Sequence, residues 1–209
     1  MGIAYNRPIS TAHPYRRHHI LINYITLMLI NLVAGLVLLA CFVYEGLDGS
    51  NPKRWVPGFG MVGAIALSTG FHMIWHWPIR GSYNIAFGET TVLFGILFVG
   101  ASLALALGWD LLAVAIYAFF AGVAAIVIGI RIIDLEMTRR PLISGLGFIL
   151  TGLGGVCAAP ALYWQTNRAF RLAGVGVLAI AATIWAFTGY MAYWGHLEGS
   201  ANWTPPGMQ

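Results

Sequence analysis

The 209-residue chain is 59% hydrophobic and only 9% charged. Soluble domains carry about 25% charged residues, so this composition excludes an ordinary water-soluble globular protein. The net charge of +4 comes from residues at the ends of apolar runs, which points to a lipid bilayer as the partner and argues against nucleic acid.

Six apolar runs follow one another along the chain, each close to the roughly 20 residues that a helix needs to cross the hydrocarbon core. They predict an all-α polytopic membrane protein with six transmembrane helices and short loops. The expected domains are an N-terminal segment at 1–20, a transmembrane domain at 21–195 and a short tail at 196–209. The predicted spans are Leu21–Tyr44, Val56–Trp77, Ile85–Leu107, Leu111–Ile130, Leu142–Trp164 and Leu172–Trp194.

The distribution of Lys and Arg predicts the orientation of these spans. An even number of spans places both termini on one side, and that side collects seven of the eleven Lys and Arg residues. Because positively charged loops tend to remain inside, both termini are expected to be cytoplasmic. The N-terminal segment and the C-terminal tail are therefore predicted to face the cytoplasm.

Ionisable side chains inside membrane spans are rare and mark candidate functional sites. His72 lies about one turn before the cytoplasmic end of the second span, and His76 follows at i+4 on the same helical face. Glu89 opens the third span on the same side, and His196 lies just beyond the sixth span. We therefore expect these four side chains at the cytoplasmic ends of the helices.

Metal binding is the chemistry that this pattern favours. Two histidines at i and i+4 direct their imidazoles the same way, as two ligands of one ion require. The predicted metal ligands are His72, His76, Glu89 and His196, a mixed nitrogen and oxygen set that suits Zn, Cu or non-haem Fe. A haem b with one axial histidine from this helix and another such as His196 is an alternative.

Simpler interpretations of the same residues stay open. His72 and His76 can be interfacial histidines that hydrogen-bond to the backbone or to Glu89. Glu89 can stabilise the N-terminus of the third helix. The turn at 81–84, which reads Gly-Ser-Tyr-Asn, can bind a lipid headgroup phosphate or a quinone.

The connection between the second and third spans, residues 77–89, reads W-P-I-R-G-S-Y-N-I-A-F-G-E. It resembles the W-P-x-x-G-S-Y-N-I-x-F-G-[ED] turn of an uncharacterised family of predicted prokaryotic multi-span membrane proteins of unknown function. The resemblance implies a multi-pass protein in the plasma membrane of a bacterium or archaeon. It implies no activity.

A compact chain with almost no soluble part is typical of one subunit of a larger assembly. We expect an integral membrane subunit of a redox-linked complex, with other membrane subunits or a second copy of the chain as partners. If it is enzymatic, it is a metal-dependent membrane oxidoreductase or its accessory subunit. The alternatives are a cofactor-free structural or lipid- or quinone-contacting membrane protein, and a small-solute transporter.

Overall fold

A computed structural model describes residues 24–47, 51–79, 81–201 and 204. Within these residues the regular structure is entirely helical. The helices are α1 (Ile25–Cys41) with a π-helical turn (Phe42–Gly46), a 3₁₀ turn (Pro52–Trp55), α2 (Val56–His76), a π-helical turn (Asn84–Glu89), α3 (Thr90–Leu107), α4 (Leu112–Asp134), α5 (Pro141–Val156), α6 (Ala158–Tyr163) and α7 (Arg168–Gly199).

Five stretches of the described chain are long and apolar enough to cross a membrane. They are Ile25–Glu45, Pro52–His76, Asn84–Leu107, Leu112–Asp134 and Arg168–Gly199. The prediction of an all-α fold with several apolar helices long enough to cross a membrane is thereby confirmed for the described residues, while six spans and cytoplasmic termini stay predictions. The predicted N-terminal segment at 1–20 lies outside the described residues. Part of the predicted tail, 196–199, still belongs to α7.

The fifth predicted span differs from the single helix that was expected over Leu142–Trp164. The structure divides it into α5, which ends at Val156, and the six-residue α6. Pro160 explains the break, because proline has no N–H and its ring clashes with the carbonyl four residues earlier, here that of Val156. The 16 residues of α5 are too few for a full crossing on their own.

The most closely packed helix pairs are α4 with α5, α2 with α3 and α1 with α7. Glycines allow the α4–α5 pair to approach at backbone contact. A Cβ atom added at Gly152 would lie 2.5 Å from the backbone oxygen of Gly122, and one added at Gly145 would lie 2.6 Å from that of Gly129. Such close approach is how helices gain van der Waals contact in lipid.

Two clusters of buried side chains form the core. One surrounds Trp185 and Phe148, whose rings meet edge to face with centroids 5.2 Å apart. The other surrounds Phe59, whose ring packs against Phe42 and Phe98 at 5.5 and 5.2 Å. A cavity borders both clusters.

Candidate functional site

The turn between α2 and α3 is built around the Asn84 side chain, which is fully buried. Its Oδ1 accepts a hydrogen bond from the Ile79 N–H at 3.2 Å. Its Nδ2 donates to the carbonyl oxygens of Ile79 and, at 3.1 Å, of Gly81. Gly81 has φ +70°, a backbone conformation that glycine adopts without strain. Asn84 therefore holds the turn closed.

Other members of the same stretch also have structural roles. The Tyr83 hydroxyl donates to the carbonyl of Met137 in the α4–α5 loop. Phe87 packs edge to face on Phe148, with ring centroids 5.5 Å apart. A Cβ at Gly88 would lie 2.9 Å from the Ile74 side chain, so a larger residue would require the side chains of α2 to shift. The features that make the stretch distinctive thus build and anchor a turn.

The two histidines of α2 lie side by side, as their spacing predicts. Their rings stack with centroids 4.3 Å apart and an angle of 16° between planes. His72 Nδ1 lies 3.0 Å from the Tyr24 hydroxyl, a hydrogen bond that ties the end of α2 to the start of α1. His76 is exposed, and its Nδ1 lies 3.1 Å from the backbone oxygen of His72.

The remaining two predicted ligands are placed differently. Glu89 is exposed on the π-helical turn before α3. His196 lies in the last turns of α7, and its Nδ1 is 3.3 Å from the hydroxyl of the buried Thr26 on α1. Within the described residues, no three His, Cys, Asp or Glu side chains form a group that could hold a metal ion. The structure brings His72 and His76 together but does not add Glu89 and His196 to them as a ligand set.

A cavity between the helices was not predicted from the sequence. Its volume is about 370 Å³. Every helix from α1 to α7 contributes to its wall, which includes the side chains of Phe94, Ala121, Phe148, Leu178 and Trp185. Because small residues at helix interfaces indicate only that backbones can approach, the sequence gives no signal that separates tight packing from an opening.

The cavity wall offers almost no free hydrogen-bonding groups, because most lining side chains are apolar and most of the polar ones are already hydrogen-bonded within the protein. Asn31 donates its amide N–H to the backbone oxygen of Val62 at 2.9 Å. Thr151 donates to the backbone oxygen of Gly147 at 2.8 Å and accepts from Trp185 Nε1 at 3.0 Å. These lining groups are satisfied inside the protein, so they offer little to water.

Arg171 is the charged exception among the described residues that line the cavity. It lies near the start of α7, at the end of the bundle opposite His72. Its Nε donates to the carbonyl of Val43 at 3.0 Å, and its terminal nitrogens donate to the carbonyls of Tyr44 and, at 3.3 Å, Gln165. The guanidinium group is thus fixed against the π-helical end of α1, at one end of the cavity.

Five helical stretches of the described chain that are long and apolar enough to cross a bilayer define the class of this protein as a multi-pass membrane protein. More specifically, the chain belongs to the family described as "Protein of unknown function (DUF981)", which matches residues 19–199. The expectation of an uncharacterised family is confirmed, and the motif assigned to the turn stays a prediction. No curated protein and no solved structure matches the chain.

Proposed function

We propose that this protein is an integral membrane protein that binds a lipid-like molecule in the partly open cavity between its helices. The observation that carries the proposal is the 370 Å³ cavity with its apolar wall. The volume falls within the range of ligand sites, about 300–1,000 Å³. Among the functions considered from the sequence, the geometry favours a lipid- or quinone-contacting membrane protein.

The cavity is only partly enclosed, and its wall is apolar. Water gains few hydrogen bonds from such a wall. An acyl or isoprenoid chain fills the same space through apolar contacts.

The remaining features of the proposal concern topology and location. We propose six membrane crossings, of which α5 and α6 together form the fifth. Both termini then lie in the cytoplasm, as the Lys and Arg distribution favours. The plasma membrane of a prokaryote is the proposed location. Fusions of a periplasmic and a cytoplasmic reporter to the chain termini test the orientation.

A matched pair of glycines on α7 tests the ligand site. Gly174 lines the cavity, whereas Gly176 is exposed and does not, and a Cβ at either position meets no atom within 4 Å. Gly174→Phe and Gly176→Phe therefore make the same change on one helix, one inside the cavity and one outside. The protein is purified in detergent, and its bound lipids are extracted and identified by mass spectrometry.

We expect the wild type and Gly176→Phe to retain a defined lipid-like molecule close to one per chain. We expect Gly174→Phe to lose most of it while remaining folded. A wild-type protein without a retained apolar molecule, or equal retention in the two variants, would contradict the proposal.

A metal at the histidine pair is the second candidate function, and it would fit a subunit of a redox-linked membrane complex. The observation that favours it is the parallel stacking of the His72 and His76 rings at 4.3 Å. Further ligands would have to come from outside the described residues or from water. Metal analysis of the purified protein tests this candidate, and co-purification of partner subunits tests the assembly.

A further inference from the structure

We infer that the lipid-like ligand is a quinone, a flat ring with carbonyl oxygens on an apolar chain, and that one of these oxygens accepts a hydrogen bond from the Thr91 hydroxyl of α3. This inference rests on the proposed function and adds the chemical class of the ligand and the position of its ring. A plain hydrocarbon or acyl chain would satisfy the proposed function but not this inference.

Three threonines line the cavity, and one of them differs from the other two in its hydrogen bonding. Thr90 and Thr151 donate to the backbone oxygens of Ala86 and Gly147, each four residues earlier, as threonine commonly does in a helix. The Thr91 hydroxyl makes no hydrogen bond within the part of the chain that the structure describes. It is therefore a free hydrogen-bond donor in the cavity wall.

The π-helical turn before α3 accounts for the missing partner of Thr91. The carbonyl four residues before Thr91 belongs to Phe87, which lies in the turn Asn84–Glu89. This carbonyl already accepts a hydrogen bond from the Thr90 N–H, and it lies 3.4 Å from the Thr90 hydroxyl as well. Short π-helical turns inside helices are frequent at functional sites. Here the irregular turn leaves one hydroxyl without its usual acceptor.

The Thr91 oxygen is open to the cavity. Among the described residues, Trp55 Nε1 is the only side-chain nitrogen or oxygen that is both fully buried and without a partner. Since the Thr91 oxygen also lacks a partner, it is not sealed within the protein. A water molecule held there would need about two to four polar partners, whereas the lining residues next to Thr91 on its face of α3 are Phe87 and Phe94. The hydroxyl is therefore available to a ligand.

The face of α3 that carries Thr91 is aromatic. Phe87 lies four residues before Thr91 and Phe94 three residues after it, so the three share one side of the helix, and all of them line the cavity. Phe87 packs on Phe148 with ring centroids 5.5 Å apart, and Phe148 packs on Trp185 at 5.2 Å. Aromatic rings favour offset-stacked or edge-to-face contacts with another flat ring. A quinone ring gains these contacts and supplies the acceptor that Thr91 lacks.

The depth of Thr91 in the bundle favours an uncharged acceptor. Thr91 lies seven residues into the candidate span Asn84–Leu107, which is about 10 Å along the helix axis. A carboxylate or phosphate at that depth would be buried in apolar surroundings at a high cost in free energy. A quinone oxygen carries no charge, so it can accept the hydrogen bond without this cost.

The test measures binding by the rise in unfolding temperature that a ligand of the folded protein causes. Two probes carry the same alkyl chain: decylubiquinone has a quinone ring, and decylbenzene has a ring without oxygen. The full chain is studied in nanodiscs of neutral phospholipid as wild type, Thr91→Val, Thr91→Ser and Thr183→Val. Thr183 is exposed on α7 and does not line the cavity, so Thr183→Val is the same change of shape and polarity outside the site.

We expect decylubiquinone to bind the wild type about fivefold more tightly than Thr91→Val, because this variant keeps the shape of the side chain and loses one hydrogen bond. Thr91→Ser keeps the hydroxyl, so it should bind the quinone as the wild type does, and so should Thr183→Val. Decylbenzene should bind the wild type and Thr91→Val equally. Lipids extracted from the wild type are expected to include a quinone, identified by its mass and ultraviolet absorption.

Equal affinity of the wild type and Thr91→Val for decylubiquinone would overturn the inference while leaving the proposed function intact, because a lipid-like molecule would still bind. An equal loss of affinity for decylbenzene in Thr91→Val, or extraction of acyl lipids without a quinone, would overturn it too. Should Thr91→Val fail to fold, the wild type decides alone: it has to bind decylubiquinone more tightly than decylbenzene. No binding of either probe, together with no retained lipid, would instead refute the proposed function.

Discussion

The Tyr83 hydroxyl donates a hydrogen bond to the backbone oxygen of Met137, 54 positions further along the chain. This bond joins the α2–α3 turn to the α4–α5 loop, and so connects the two most closely packed helical hairpins at one end of the bundle. Near the same contact, Phe87 of the turn packs on Phe148 of α5. The turn is therefore a point of attachment between hairpins and not an isolated loop.

Removing this bond tests the attachment. We expect Tyr83→Phe to lower the free energy of unfolding by about 1 kcal/mol, because the Met137 carbonyl loses its donor and the ring remains. Thermal unfolding in detergent, followed by circular dichroism, measures the change. Tyr117→Phe is the control, since Tyr117 is half exposed on α4, and an equal effect of the two variants would contradict the role of Tyr83.

Asn84 offers a stronger test of the turn. Asn84→Ala removes three hydrogen bonds from a fully buried position, and we expect a loss of about 3 kcal/mol. Asn84→Asp should be at least as damaging, because its carboxylate cannot donate to the carbonyls of Ile79 and Gly81. Ser82→Ala changes an exposed side chain in the same turn and is expected to have little effect. Stability of Asn84→Ala equal to that of Ser82→Ala would show that the turn does not depend on the amide.

The close contact between α4 and α5 predicts that the stability of the protein depends strongly on the glycines at this interface. Gly152→Ala places a methyl group 2.5 Å from the backbone oxygen of Gly122, so the helices have to separate, at a cost of about 1–3 kcal/mol. Gly176→Ala adds the same group in open space and should be neutral or slightly stabilising. Unfolding in a denaturing detergent compares the two variants, and parity between them would rule out this close contact.

Three variants distinguish a hydrogen-bonding role of the histidine pair from metal binding. If hydrogen bonding is its role, Tyr24→Phe and His72→Ala should each lower stability by about 1 kcal/mol, and the exposed His76→Ala should matter less. This is the outcome that we expect. The metal hypothesis predicts a different order: both histidine variants lose bound metal, and Tyr24→Phe keeps it. Elemental analysis beside the unfolding curves separates the two outcomes.

Much of the architecture follows from the sequence because lipid imposes simple rules on length and polarity. The helical spacing also predicts the contact between His72 and His76, which depends on one helix only. The sequence contains the cause of the helix break, Pro160, but the apolar run around this residue hides it. Hydropathy does not report which helices are neighbours, so the sequence cannot establish whether Glu89 and His196 approach this pair, and the four-residue metal site stays a prediction.

The cavity was beyond prediction for a related reason. Gly122 and Gly152 are pressed against each other, whereas Gly174 faces open space, although all three are glycines in apolar helices. The difference depends on how the remaining helices are arranged around them. Arg171 is one of the eleven Lys and Arg residues whose distribution predicts the orientation, and only the fold shows that it lines a cavity.

The helices α5 and α7 differ twofold in length. The 16 residues of α5 extend about 24 Å, whereas the 32 residues of α7 extend about 48 Å, against a hydrocarbon core of about 30 Å. A bilayer of uniform thickness matches neither helix alone, so α7 has to tilt or project, and α5 needs α6 to complete its crossing. Membrane thickness is thereby coupled to the angle of the helix that carries Arg171.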